Sequence, residues 1–173
     1  MPDRPPGRLR QLLAIGPLPA TVAGAIPLFL ALVTEVEPGF GLPLPLAAVL
    51  TGAGAAALFA GGRLAAETIG LFSREGEGTL APWDPTRRLV VSGPYRRTRN
   101  PMITGVALIL LGQGLVLGSA AILIELAVFA VVNGLYMPLV EEPGLRRRFG
   151  AEYEAYTCAV PRWIPRRKPW LGE

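Results

Sequence analysis

The chain has 173 residues, enough for one domain, and 51% of them are hydrophobic against 17% charged, with a mean hydropathy of +0.41. That is too apolar for an ordinary soluble protein, so the net charge of +4 points to an anionic membrane surface rather than to nucleic acid. Histidine is absent, which removes the commonest general base and metal ligand; the single cysteine, Cys158, excludes an internal disulfide; no spacing of Cys, Asp or Glu suggests a metal site.

Four apolar segments are predicted in chain order. The first runs from about Gln11 to Val33, with Pro17, Pro19 and Pro27 inside it. Neighbouring helices tolerate such prolines in lipid, and no cleavage pattern of a signal peptide follows. The second spans Leu42 to Gly62 and continues with polar residues toward Phe72. The third, Met102 to Leu117, is short for a bilayer core that needs about 20 helical residues. It is expected to form a tight hairpin with the fourth, Ala120 to Val140, turning at Gly118-Ser119. Within the spans, Arg63 and Glu67 are spaced to pair on one helical face. Glu125 and Asn133 are polar residues of the kind that face a bundle interior.

The basic residues set an orientation. Arg4, Arg8 and Arg10 precede the first segment, and Arg74, Arg87, Arg88, Arg96, Arg97 and Arg99 separate the second from the third. Arg146, Arg147, Arg148, Arg162, Arg166, Arg167 and Lys168 follow the fourth. The other two connections carry no Lys or Arg, and the first holds Glu35 and Glu37. By the positive-inside rule this gives four spans in an inner (plasma) membrane, with both termini cytoplasmic.

After the fourth segment, Leu145, Phe149, Tyr153, Tyr156 and Val160 recur at helical spacing. They predict one further helix, cytoplasmic or interfacial, whose plainest role is to lie on anionic lipid. Trp163 and Trp170 suit a headgroup-level belt. The adjacent carboxylates Glu141 and Glu142 repel each other and need a cation, which arginines of either basic block or a cationic ligand would supply.

Two blocks, LVVSGPYRRTRNPMITG and EEPGLRRRFGAEYEAYTCAVPRWIP, resemble the integral membrane methyltransferases that include isoprenylcysteine carboxyl methyltransferases and phospholipid N-methyltransferases. The likeness covers roughly Leu89 to Pro165, in the right order around a helical hairpin. It implies an all-α membrane bundle of about four transmembrane helices. Residues 1–173 then form one domain, with an N-terminal helical pair over 11–72 and a cofactor-binding region over 89–165. It implies S-adenosylmethionine as cofactor and a lipophilic acceptor from the membrane: a lipid, a prenylated substrate or a small lipophilic molecule. Carried over by motif, Arg99, Asn100, Pro101, Met102, Gly105, Glu141, Glu142, Tyr153 and Tyr156 would line the cofactor site. Arg99, Glu142 and Arg162 are the candidates for catalysis. Gly105 and Gly112 are equally readable as packing glycines. Methyl transfer needs alignment in a dry pocket, and neither a metal nor a covalent intermediate.

Asn100 stands where carboxyl methyltransferases have His, and Asn-Pro-Met is closer to the phospholipid branch. Ile103 replaces a usual Tyr, and Ala159 a usual basic residue. Two other classes compete: an NADPH-dependent membrane reductase of similar C-terminal architecture, and a non-catalytic membrane protein retaining the fold. Saturable S-adenosylmethionine binding separates the first reading from both.

Overall fold

A computed structural model describes residues 17–75 and 88–172. The basic residues Arg4, Arg8, Arg10 and Arg87, and the start of the first apolar segment, lie outside the described residues. Among the described residues, five helices make up the regular structure and no strand occurs. Helix α1 covers 17–33, α2 Leu44–Glu75, α3 Pro101–Leu117, α4 Ala120–Phe149 and α5 Ala151–Ala159. Two of them are long and apolar enough to cross a membrane, α2 over Leu44–Leu71 and α4 over Ala120–Phe149. Large side chains such as Leu32, Leu44, Phe59 and Leu139 point outward at 70–82% exposure, a surface suited to lipid rather than water.

Helix α3 is the central element, packed between α2 and α4. Gly54 and Gly61 of α2 meet Gly112 and Gly105 of α3, so the two helices run antiparallel with backbones in contact. A Cβ on Gly112 would stand 2.6 Å from the Gly54 carbonyl oxygen, and one on Gly61 2.7 Å from that of Gly105. Close approach of this kind replaces the hydrophobic drive that lipid does not supply. The α3–α4 hairpin turns at Gly118 (φ 62°), where a side chain would run into the Glu37 backbone; Ser119 then caps α4 through Ile122 N–H.

Two prolines account for irregularities that periodicity does not predict. Pro27 has no N–H for the Ala23 carbonyl four residues back. A π-turn, Thr21–Ala25, forms just upstream, and Gln113 Nε2 of α3 donates to that carbonyl at 2.9 Å. The side chain thereby ties α1 to the core of Val106, Leu110 and Ile122. In α4, Pro138 lies in a second π-turn, Met137–Glu141, and the helix runs on to Phe149. The fourth segment therefore does not end near Val140 as the hydropathy suggests. The single helix expected over Leu145 to Val160 is divided instead. Gly150, at φ 53° and ψ −128°, adopts a backbone open only to glycine and breaks the chain between α4 and α5.

Candidate functional site

The segment before α3 folds through local turns. Gly93 at φ 50° and Pro94 start a 3₁₀ turn, Gly93–Arg96, with Tyr95 N–H donating to the Ser92 carbonyl at 3.0 Å. Asn100 precedes Pro101, whose fixed φ suits the first helical position. After α5, Pro161 sends the chain back across this segment, and the two strands of backbone are stitched together. Arg99 N–H donates to the Pro161 carbonyl at 3.0 Å, Arg166 N–H to that of Arg97 at 2.9 Å, and Trp170 N–H to that of Arg96 at 2.9 Å. The Thr98 hydroxyl and the Asn100 amide both donate to the Arg162 carbonyl, at 3.0 and 3.4 Å. Tyr156 closes the far end, its hydroxyl donating to the Tyr95 carbonyl at 2.7 Å.

Glu142 sits at the centre of this clasp, its side chain 5% exposed. The π-turn and Pro143 carry it into the first turn of the last part of α4, beneath both basic segments. Its Oε1 accepts from Arg99 Nη1 at 3.0 Å and from Arg162 Nε at 2.6 Å, while Oε2 accepts from Arg162 Nη2 at 2.9 Å. One carboxylate thus takes a bidentate and a single charge-assisted contact from two guanidinium groups. The hydrogen bond to Glu142 raises the Arg162 pKa further above its usual value. Burial pushes the phenols of Tyr95, Tyr153 and Tyr156 up, keeping these hydroxyls neutral. Two groups are left over. Arg99 Nε is buried with no partner, and Glu141, half-buried, has no hydrogen-bond or ion-pair partner among the described residues.

Arg99, Asn100, Pro101, Glu142 and Arg162 are thus brought together, with Glu141 next to Glu142 on the π-turn. Tyr153 and Tyr156 are buried nearby, with Val160, against Leu89, Val91, Leu145, Phe149 and Trp170. That packing corrects the interfacial reading: the aromatic face of α5 is turned into the protein, so it is not the face that would lie on lipid. Trp170 likewise covers Tyr156, ring centroids 5.7 Å apart, instead of standing free in a headgroup belt. Met102 is half-buried in the first turn of α3, whereas Gly105 faces away toward α2, where its Cβ would be 3.2 Å from Ala65 N and from the Gly61 carbonyl. Arg63 and Glu67 are both exposed and do not form the expected ion pair with each other. Glu125 lies on α4 about 25 Å along the axis from Glu142 at 1.5 Å per residue. Both its oxygens are buried without a partner.

Thr98, the Tyr95 carbonyl and Arg166 belong to the clasp although sequence reasoning does not single them out. Tyr95 and Thr98 are signalled only by their place inside the GPYRRTRNP block, and Arg166 only as one of the basic residues after the fourth segment. Beside the clasp lies an open groove of about 530 Å3, lined by Leu89, Val91, Ser92, Arg96, Glu152 and Trp170. It is a separate surface from the Glu142 cluster. Among the described residues no group of His, Cys, Asp or Glu is placed to hold a metal.

The model of the phospholipid methyltransferase family matches residues 52–152, from the third turn of α2 to the start of α5. No curated protein and no solved structure matches the chain.

Proposed function

The chain belongs to the phospholipid methyltransferase family, and from that premise we propose that the Glu142 clasp is where it binds S-adenosylmethionine to methylate the amine head group of a membrane lipid. The family consists of enzymes that use S-adenosylmethionine and act on membrane lipids.

The observation that carries the assignment is the pair of unspent groups at a buried, charge-balanced cluster. Arg99 Nε is a buried donor without a partner, although the Tyr153 phenol lies against the same guanidinium, and Glu141, its carboxyl pushed up by burial and by Glu142, has no cation of its own. The amino-acid end of the cofactor offers one complement to each, a carboxylate and an ammonium, so the residues present fit it. Bound there, S-adenosylmethionine supplies an electrophilic methyl group on a sulfonium.

The chain's own residues hold and orient. Glu142 acts as a positioning residue: its oxygens are occupied by Arg99 and Arg162, and it fixes the Arg99 plane so that Nε points consistently. Arg162 is consumed in the same contact and locks the segment after α5 over the start of α3. Asn100 spends its amide on the Arg162 carbonyl, which leaves its side-chain oxygen as an acceptor. The buried, neutral Tyr153 and Tyr156 wall the cluster from water, and an alkyl transfer aligned by such a frame gains chiefly from orientation. We place the acceptor among amine lipids rather than prenylated carboxylates because Asn100-Pro101-Met102 matches the phospholipid branch.

We read residues 1–173 as one membrane unit, with 11–72 as the N-terminal pair and 89–165 as the cofactor region. In this arrangement α1, α2, α3 and α4 all span, the clasp and both termini are cytoplasmic, and the host is an inner membrane. α3, at 17 residues, is short for a span and places Asn100 at the boundary, where lipid and cofactor can meet. The test is to incubate the purified full chain in nanodiscs with methyl-labelled S-adenosylmethionine and a host lipid extract, then identify the labelled product. A labelled aminolipid is expected; absence of both labelling and saturable cofactor binding overturns the reading.

A further inference from the structure

Helix α2 presents one continuous outward face through Gly52, Ala56, Phe59, Arg63, Glu67 and Arg74, spaced at three, four or seven residues and all exposed. The face changes character along its length. Around Gly52, where nothing lies within 4 Å of a Cβ position, it is small and apolar. At Arg63 and Glu67, still inside the apolar stretch Leu44–Leu71, it carries two opposite charges with no ion-pair partner among the described residues. Arg74 lies beyond that stretch and folds its Nε back onto the Gly70 carbonyl at 3.0 Å. Charges at such a depth are costly unless something complements them.

The order of the two charges identifies that complement. Arg63 is one turn, roughly 6 Å, farther from the aqueous end of α2 than Glu67. A phospholipid in the adjoining leaflet keeps its phosphodiester nearer the acyl chains and its terminal amine nearer water. Cation below and anion above therefore match phosphate below and ammonium above, and a planar guanidinium suits a phosphodiester. Glycine and alanine on the deeper turns leave room for an acyl chain beside Phe59. The upper charge also borders the clasp: a Cβ on Gly93 would be 3.5 Å from Glu67 Oε1, and Gly93 opens the turn whose Tyr95 carbonyl holds Tyr156.

We propose that Arg63 and Glu67 dock the head group of an aminophospholipid, Arg63 taking the phosphodiester and Glu67 the ammonium, as the route by which the acceptor reaches the clasp. The word acceptor rests on the function proposed above; the docking itself does not. The full chain, in detergent with mixed phosphatidylethanolamine and phosphatidylglycerol, is examined for retained lipid by native mass spectrometry. The parent should prefer phosphatidylethanolamine. Glu67→Gln should abolish that preference, and Arg63→Gln should weaken retention of both lipids about tenfold, the scale of one charged hydrogen bond, with partial recovery in Arg63→Lys. In the methylation assay both Gln variants should raise the KM for phosphatidylethanolamine to a similar extent and leave cofactor affinity unchanged. Parent-like lipid retention in both variants overturns the docking. So does an equal loss of cofactor affinity, or a change of oligomeric state showing that the face meets a second copy. If the parent methylates no lipid, the functional reading fails by itself, and the retention measurement still decides the docking.

Discussion

Substituting Glu142→Gln should open the clasp locally while leaving the bundle folded. Gln keeps the size of Glu142 and one acceptor oxygen, but it removes the charge shared by Arg99 and Arg162, and its amide turns a donor toward one of them. Breaking a buried pair by removing one partner costs about 3–5 kcal/mol. Arg162 is 32% exposed on its side chain and can recover water, whereas Arg99, at 12%, recovers little. The loss should therefore sit near 2–3 kcal/mol, which at 1.4 kcal/mol per decade is roughly a 30- to 150-fold change in the opening equilibrium. Amide hydrogen exchange reads it directly. The N–H groups of Arg99, Arg166 and Trp170 close the clasp, so their protection should fall by that factor. Amides of Val106 and Leu110, in the core of the bundle, should be unchanged. Parent-like protection at Arg166 and Trp170 in a folded Glu142→Gln protein would refute the claim that this carboxylate holds the clasp.

Tyr156→Phe removes the donor to the buried Tyr95 carbonyl and should destabilise the protein by about 1–3 kcal/mol, seen as a lower Tm in detergent without loss of membrane insertion. Arg99→Lys and Asn100→Leu should both insert normally yet bind S-adenosylmethionine more weakly in nanodiscs, because lysine cannot present an Nε donor in a plane and leucine has no amide; parent-like affinity in both would reduce the basic block to an orientation signal. Reporter tags at both termini and beside Arg88 should be cytoplasmic and one at Glu37 external; external access at Arg88 would reverse the orientation and displace the site.

The bundle was legible where one residue type has one physical use. Apolar runs located α2, α3 and α4, and Gly118-Ser119 marked the hairpin because a left-handed residue followed by a cap has few other meanings. The run of α4 through Pro138 to Phe149 was not legible. A proline ordinarily argues for an end, and only tertiary context selects a π-turn over a stop. The periodic set Leu145, Phe149, Tyr153, Tyr156 and Val160 is legible as an apolar face, but its burial against the protein instead of on lipid is not. Periodicity says that a face is apolar, not whether lipid or Trp170 covers it. For the clasp, the need of Glu141-Glu142 for a cation was readable from charge, and Glu142 meets an arginine from each basic block. Which carboxylate is satisfied and which is left over depends on the rotation of the π-turn, a three-dimensional fact. Gln113 shows the same limit, since its partner is the Ala23 carbonyl, to which Pro27 four residues on can donate no N–H.

In the function proposed above, the clasp holds S-adenosylmethionine through Arg99 Nε and Glu141. Its most direct test is equilibrium binding of S-adenosylmethionine to the full chain in nanodiscs, parent against Glu141→Gln. Glu141 has no internal partner among the described residues and is repelled by Glu142, so its substitution should not lower thermal stability while affinity falls by about one to two orders of magnitude, the scale of a lost charged contact. Saturable binding that is as tight in Glu141→Gln as in the parent would contradict the claim, and so would a parent that does not bind S-adenosylmethionine.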